Sequence, residues 1–194
     1  MNVLLIVGTE KGAFLIRSDA ARIGWKVEGP SFKGWKVTAA TRDARGRYFL
    51  GVTSGVYGAT VQTSDDLAKW RQLAGGPSYP EGGRRKLNQI WRLHAHAGAL
   101  FAAVDEAGLF RSDDGGDTWQ PLESLNEHPT RDAWFPGGGG LCAHAILSDR
   151  QNPRRMWCGI SAVGVFRTDD GGRTWHPRTR AGSRVWTGRW RRAT

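Results

Sequence analysis

The sequence predicts an all-β chain arranged as a β-propeller of four-stranded antiparallel blades, with about four blades present and the first one incomplete. Three observations carry this. An octapeptide, SDDGGDTW at 112–119, returns as TDDGGRTW at 168–175. The 27 Gly and 10 Trp are both high for 194 residues, and short apolar runs alternate with turn residues, the composition of many short strands. No stretch keeps apolar residues at i, i+3, i+4, i+7 for three turns, so a long helix is not expected.

The octapeptides anchor the repeat. LFAAVDEAGLFRSDDGGDTW (100–119) aligns with MWCGISAVGVFRTDDGGRTW (156–175), and each is an apolar run, a turn ending in Gly, Gly-x-Phe-Arg-Ser/Thr-Asp, the turn, then Trp. YFLGVTSGVYGATVQTSDDLAKW (48–70) keeps the order but has lost the second Gly and the Thr. VLLIVGTEKGAFLIRSDAARIGW (3–25) keeps Gly12, Phe14, Arg17, Ser18 and Trp25, with Ala20 and Arg22 in place of the turn's Asp and Gly. The tryptophans at 25, 70, 119 and 175 lie 45, 49 and 56 residues apart. A period near 50 with several strands per unit is that of a propeller.

Physically, each octapeptide reads as a hairpin turn that satisfies its own backbone. Asp114 and Asp170 accept amide hydrogen bonds within the loop, and the hydroxyls of Ser112, Thr118, Thr168 and Thr174 close it. Gly116 and Gly172 supply a positive φ, and Trp119 and Trp175 open the next strand with large apolar area. A calcium loop would need more carboxylates at alternating positions and a downstream Glu.

The octapeptides resemble the Asp box, or bacterial neuraminidase repeat, found in sialidases and many other β-propellers. Two copies match at every defining position and two are degenerate, across about residues 3–178. Through FKGW (32–35), NEHPTRDAWFPGGGGLCAH (126–144) and GVFRTDDGGRTW, the chain is similar to bacterial sialidase-like and glycosyl-hydrolase-like propellers of the broader WD40/YVTN/BNR group. The resemblance implies that each box joins the third and fourth strands of a blade, on the face away from the active site. It also implies an exo-α-sialidase-like glycosidase, with an arginine cluster for the substrate carboxylate and a Tyr–Glu pair plus an Asp acid/base. The Arg-Ile-Pro motif of that family is missing: Arg22-Ile23 is followed by Gly24.

With the box between third and fourth strands, the blades fall at about 3–28, 36–74, 90–122 and 141–178. Residues 1–180 form a partial propeller, a fragment of a larger one, and 181–194 a basic tail expected to be disordered or non-native, as an out-of-frame reading would give. Val3 starts the first blade at its second strand, so an inner strand is missing there. The connections 29–35, 75–89 and 123–140, with the short turns carrying Glu10, Tyr57, Asp105 and Glu106, share the face opposite the boxes. Ligands are expected there.

The ligand-binding candidates are Lys33, Trp35, Arg92, His94, His128, Arg131 and Trp134. Asp132, His144 and Glu106 are the catalytic candidates. His94 and His144 hold similar places in IWRLHAH and LCAHAIL and are expected to face the channel together, although two His without a third ligand are weak evidence of a metal. No metal and no cofactor is called for. The expected ligand is a carbohydrate or another small anionic molecule. The competing class is a non-catalytic binding or scaffold propeller with a protein partner.

The net charge is +10, but seven arginines and no acid follow Asp170, leaving about +3 for the first 172 residues. A nucleic-acid role would rest on that tail alone. The start, MNVLLIVGTEKG, has no basic n-region and is too short to span a membrane, so a cytoplasmic protein without membrane contact is expected. Cys142 and Cys158 are expected to be a reduced, buried pair.

Overall fold

A computed structural model describes residues 3–178; the basic tail lies outside the described residues. Fifteen strands form four antiparallel sheets in chain order. The first sheet has three strands: β1 (Val3–Thr9), β2 (Gly12–Ser18) and β3 (Trp25–Ser31). The second has β4 (Lys36–Arg42), β5 (Tyr48–Ser54), β6 (Gly58–Ser64) and β7 (Arg71–Gln72). The third has β8 (Gln89–His96), β9 (Ala99–Asp105), β10 (Gly108–Ser112) and β11 (Gln120–Pro121). The fourth has β12 (Ala143–Ser148), β13 (Met156–Ile160), β14 (Gly164–Thr168) and β15 (His176–Pro177). A short helix α1 (Glu123–Asn126) and a 3-10 turn (Arg131–Ala133) occupy the connection between third and fourth blades.

The expected fold class holds: a propeller fragment of blades packed side by side, the first of three strands among the described residues. In the second, third and fourth blades the outer strands are shorter than the repeat suggested, two residues each, whereas β3 of the first has seven. Pro121 and Pro177 cannot donate to a ladder. One further backbone bond extends each edge, from Leu73 N to Val61 O, Leu122 N to Leu109 O and Arg178 N to Val165 O.

The register makes the blades superimposable. The residues opposite Ser18, Ser64, Ser112 and Thr168 are Val3, Tyr48, Leu100 and Met156. Counting on from these, Leu5, Leu50, Ala102 and Cys158 are equivalent, as are Leu4, Phe49, Phe101 and Trp157. Alternate residues point to opposite faces, so each second strand serves two interfaces. Leu50 and Val52 pack toward the first blade with Ala13, Val37 and Ile6. Phe49 and Val61 face the third, meeting Ala102, Val104 and Phe110. Phe101 and Leu109 face the fourth, meeting Cys158, Ile160 and Phe166. The inner strands β4, β8 and β12 share a bulge, at Thr38, Trp91 and His144. Thr38 uses it to donate its hydroxyl across the blades to Ile90 O at 2.6 Å.

Candidate functional site

The octapeptide turns are self-contained. Ser112 Oγ donates to Asp114 at 2.8 Å and accepts from Gly116 N at 2.8 Å. Asp114 also receives Thr118 N at 3.0 Å and Thr118 Oγ1 at 2.5 Å. The second copy repeats this with Thr168, Asp170, Gly172 and Thr174. Gly116 and Gly172 sit at φ +101° and +94°, where a side chain is disfavoured. The degenerate copies keep the plan. Leu67, at φ +64°, donates its amide to Ser64 Oγ at 2.8 Å as Gly116 does to Ser112. Arg22, at φ +58°, receives Trp25 Nε1 on its carbonyl at 3.1 Å, as Gly116 receives Trp119 at 2.9 Å.

These bonds stabilise ionised carboxylates. The Thr118 hydroxyl and amide and the Ser112 hydroxyl hold the Asp114 carboxyl well below its usual range. At Asp170, desolvation pushes the other way, but hydrogen bonds from Thr174, Thr168 and Arg173 N outweigh it. A carboxylate depressed in the folded state stabilises the fold above its unfolded value, near 4, and loses that contribution as pH falls further. Thermal melts between pH 7 and pH 2 will therefore show the melting temperature falling through the carboxylate range. The Asp114→Asn/Asp170→Asn double variant will melt lower at pH 7 and lose part of that acid dependence.

The Asp114 and Asp170 carboxylates are thus engaged within their own turns, and the site candidates lie on other segments. The loop after β3 folds onto the β1–β2 turn through Gly34 N to Lys11 O at 3.1 Å, and closes through Trp35 N to Phe32 O at 2.9 Å. Lys33 is left exposed at its tip. Trp35 lies 5.9 Å from Tyr57, in the β5–β6 turn, and 6.3 Å from Phe32. Tyr57 is 66% exposed. Glu10 and Lys36 form an ion pair beside them at 2.9 Å.

The catalytic candidates gather on connected segments where the third and fourth blades meet. Ala107 N donates to Leu141 O at 2.7 Å, Asp105 bridges to Cys142, and an Arg131 guanidinium N–H donates to Ala107 O. Glu106 and Asp132 thus flank the same contact, and His144 is the second residue of β12 just beyond it. Asp132 and His144 are exposed and Glu106 is half-buried. Burial, reinforced by the neighbouring Glu106 charge and opposed by Asn88, raises the Asp105 carboxyl above its usual value. Among the described residues, no hydrogen bond joins these candidate side chains to one another, and no group of three or more His, Cys, Asp or Glu could hold a metal ion.

Three ligand candidates are structural instead. His128 and Trp134 are buried, stacked at 6.3 Å, and both pack on Phe166. His128 also contacts Trp175 O and the Thr130 hydroxyl, which accepts Trp134 Nε1 at 2.9 Å. Arg131 spreads over the Trp134 ring at 4.7 Å while it holds Ala107 O. The loop that carries them is a clamp between blades. Tyr79 plays a similar part, its hydroxyl donating to Glu106 O at 2.5 Å; burial pushes it up to about 12.

The pairing of His94 with His144 is also corrected. His94 Nε2 meets Ser148 Oγ at 3.0 Å, four residues along β12 from His144, or about 13 Å of extended strand. His144 and Trp91 occupy the same bulge position in their blades, and Leu147 is the equivalent of His94. Burial, with the positive charges of His96 and Arg92 adding to it, lowers the His94 imidazole to about 4, so it is neutral at pH 7. Arg92 is exposed. Cys142 and Cys158 are both free and buried, and Cys158 pairs with Ile146 rather than with Cys142. Among the described residues, no helix is long and apolar enough to cross a membrane.

No protein-family model and no curated protein matches this sequence. The fold, by contrast, is similar to solved propellers. A GH74 xyloglucanase from Xanthomonas campestris superposes with a TM-score of 0.62 at 20% identity, covering 93% of this chain and 29% of that one. YCF48 from Cyanidioschyzon merolae gives 0.53 at 14%, covering 89% and 52%. A protein of unknown function from Dyadobacter fermentans gives 0.53 at 16%, covering 86% and 51%. The chain therefore spans under a third of the first and about half of the other two, and what it shares with them is the blade architecture of a β-propeller.

Proposed function

We propose that this chain is the ligand-binding arc of an Asp-box, glycoside-hydrolase-like β-propeller, and that it takes a carbohydrate on the face opposite the octapeptide turns. The observation that carries this reading is the Trp35–Tyr57 pair, 5.9 Å apart with Tyr57 66% exposed. Adjacent aromatic rings offer flat apolar area to the C–H face of a pyranose, with Lys33 and Lys36 close to Trp35 in sequence, and Glu10 paired to Lys36, to meet its hydroxyls. A neutral sugar fits better than a sialic acid. Arg131 and Arg85 direct donors to backbone carbonyls, at Ala107 and Asn126, so neither is free to clamp a substrate carboxylate bidentately.

For turnover, Asp105 is the acid that the electrostatics favour. A carboxyl raised by burial keeps its proton nearer neutral pH and delivers it to a leaving oxygen. Glu106 or Asp132 would then serve as the second carboxylate, with His144 at the rim. The chain is incubated with aryl glycosides, a sialoside among them, and with neutral β-glucan and xyloglucan oligosaccharides. The expected result is hydrolysis of a neutral glycoside that falls at least about 100-fold in Asp105→Asn. Binding without turnover favours the non-catalytic scaffold reading, which draws on the lack of hydrogen bonds among the candidate catalytic side chains. Neither binding nor turnover with any glycan removes the carbohydrate reading.

A further inference from the structure

The two ends of the arc present the two halves of a contact that the chain makes three times within itself. On the side facing a preceding blade, the second, third and fourth blades place Leu50 and Val52, Ala102 and Val104, and Cys158 and Ile160, all between 0% and 3% exposed. The equivalent residues of the first blade are Leu5 and Val7, at 45% and 37%. They continue across the sheet through their register partners Ile16 and Phe14 to Val27, 61% exposed.

On the side facing a following blade, Phe49 with Val61 and Phe101 with Leu109 are at most 2% exposed. Their equivalents in the fourth blade are Trp157 and Val165, and Val165 is 41% exposed. Leu147, paired with Trp157, is 60% exposed. Among the described residues nothing covers either face, and contiguous apolar rows of this kind mark contact surfaces.

We propose that a second copy of this chain covers both faces. The fourth blade of each copy seats its Leu147–Trp157–Val165 face on the Leu5–Val7–Val27 face of the other's first blade. The occupant follows from the repeat itself: the forward face of one blade is built to receive the backward face of the next, and among the described residues each copy carries one unfilled half of each kind. Two such copies make two identical head-to-tail contacts and close a ring of eight sheets, at the upper end of the usual range of propellers. Among the described residues the first blade contributes to each contact through β1–β3.

The full chain is examined by sedimentation equilibrium and light scattering at tens of micromolar. A mass twice that of the chain is expected for the unsubstituted protein. Leu5→Asp and Val165→Asp should each give monomer, since every pair uses each face twice. An equimolar mixture of the two variants should regain dimer, because the mixed pair keeps one unsubstituted contact. Circular dichroism of each variant shows whether the fold is retained. As a check that needs no disruptive charge, a Leu5→Cys/Val165→Cys variant should cross-link between copies on mild oxidation. A monomeric unsubstituted chain, a dimer that survives both Asp variants, an open-ended ladder of multimers, or failure of the cysteine variant to cross-link would each overturn the proposal.

Discussion

Phe49→Ala will destabilise the fold by about 3–5 kcal/mol, the cost of emptying a fully buried aromatic site. Phe49 is 0% exposed and lies between the second and third blades with Val61, Ala102, Val104 and Phe110. Its ring also carries the Arg47 guanidinium at 5.2 Å. Each blade is a single sheet with no core of its own, so stability resides in the contacts between blades. Against a total of about 5–15 kcal/mol for a natural domain, the loss takes a large share of the margin. Urea unfolding followed by tryptophan fluorescence measures it. Phe49→Leu, which refills much of the volume, should recover more than half of the loss.

Asn126→Ala should cost about 2–4 kcal/mol, far more than an exposed loop residue would. Asn126 is 1% exposed at the end of α1. Its side-chain oxygen accepts Leu109 N at 2.8 Å, and its side-chain nitrogen donates to Leu109 O at 3.1 Å. The pair thus substitutes for an edge strand beside β10. Leu109 O keeps a second donor in Leu122 N, but Leu109 N has no other partner among the described residues. Truncation therefore orphans one fully buried amide, at about 1–3 kcal/mol, and loses a bond worth about 1 kcal/mol. Asn126→Asp separates the two halves of this account: it keeps the acceptor for Leu109 N but sets an anion against Leu109 O. It should be as damaging as alanine at pH 7 and recover on acidification, once the carboxyl is protonated. Equal melting temperatures for the wild type and Asn126→Ala would refute the assignment.

The parts of the fold that were legible in sequence are those in which local chemistry and spacing coincide. Ser18 and Trp25 are the same distance apart as Ser112 and Trp119, and that alone placed a turn where the Asp and Gly of the motif were gone. The structure shows why the spacing could survive. The positive φ passed to Arg22, and the Trp–carbonyl bond was kept. The missing strand of the first blade followed from the same count.

The site was less legible, for two physical reasons. The bulges at Trp91 and His144 hold equivalent places, so the His-Ala pairs of IWRLHAH and LCAHAIL stand three residues out of step, and nothing in either motif announces that register. The His94–Ser148 contact could therefore not be read from the motifs. The stretch NEHPTRDAW has the polar and aromatic composition of a ligand loop, yet folds inward as a clamp, because His128, Arg131 and Trp134 satisfy one another and the backbone of the facing blade. Composition does not distinguish side chains that bind a ligand from side chains that bind the chain's own carbonyls. Trp35 was readable because it stands next to Lys33-Gly34, a turn that must present it on the open face. Asn126, the residue that seals β10, gave no signal at all.

In the function proposed, ligand binding belongs to the Trp35–Tyr57 face and the octapeptide turns are scaffold. Isothermal titration of the full chain with neutral xyloglucan and β-glucan oligosaccharides tests it most directly, comparing the unsubstituted protein with Trp35→Ala, Tyr57→Ala and, on the turn face, Asp113→Ala. The account predicts saturable binding that weakens at least about tenfold, or roughly 1.4 kcal/mol, in each aromatic variant and is unchanged in Asp113→Ala. Binding that is indifferent to Trp35 and Tyr57 but lost in Asp113→Ala would contradict it.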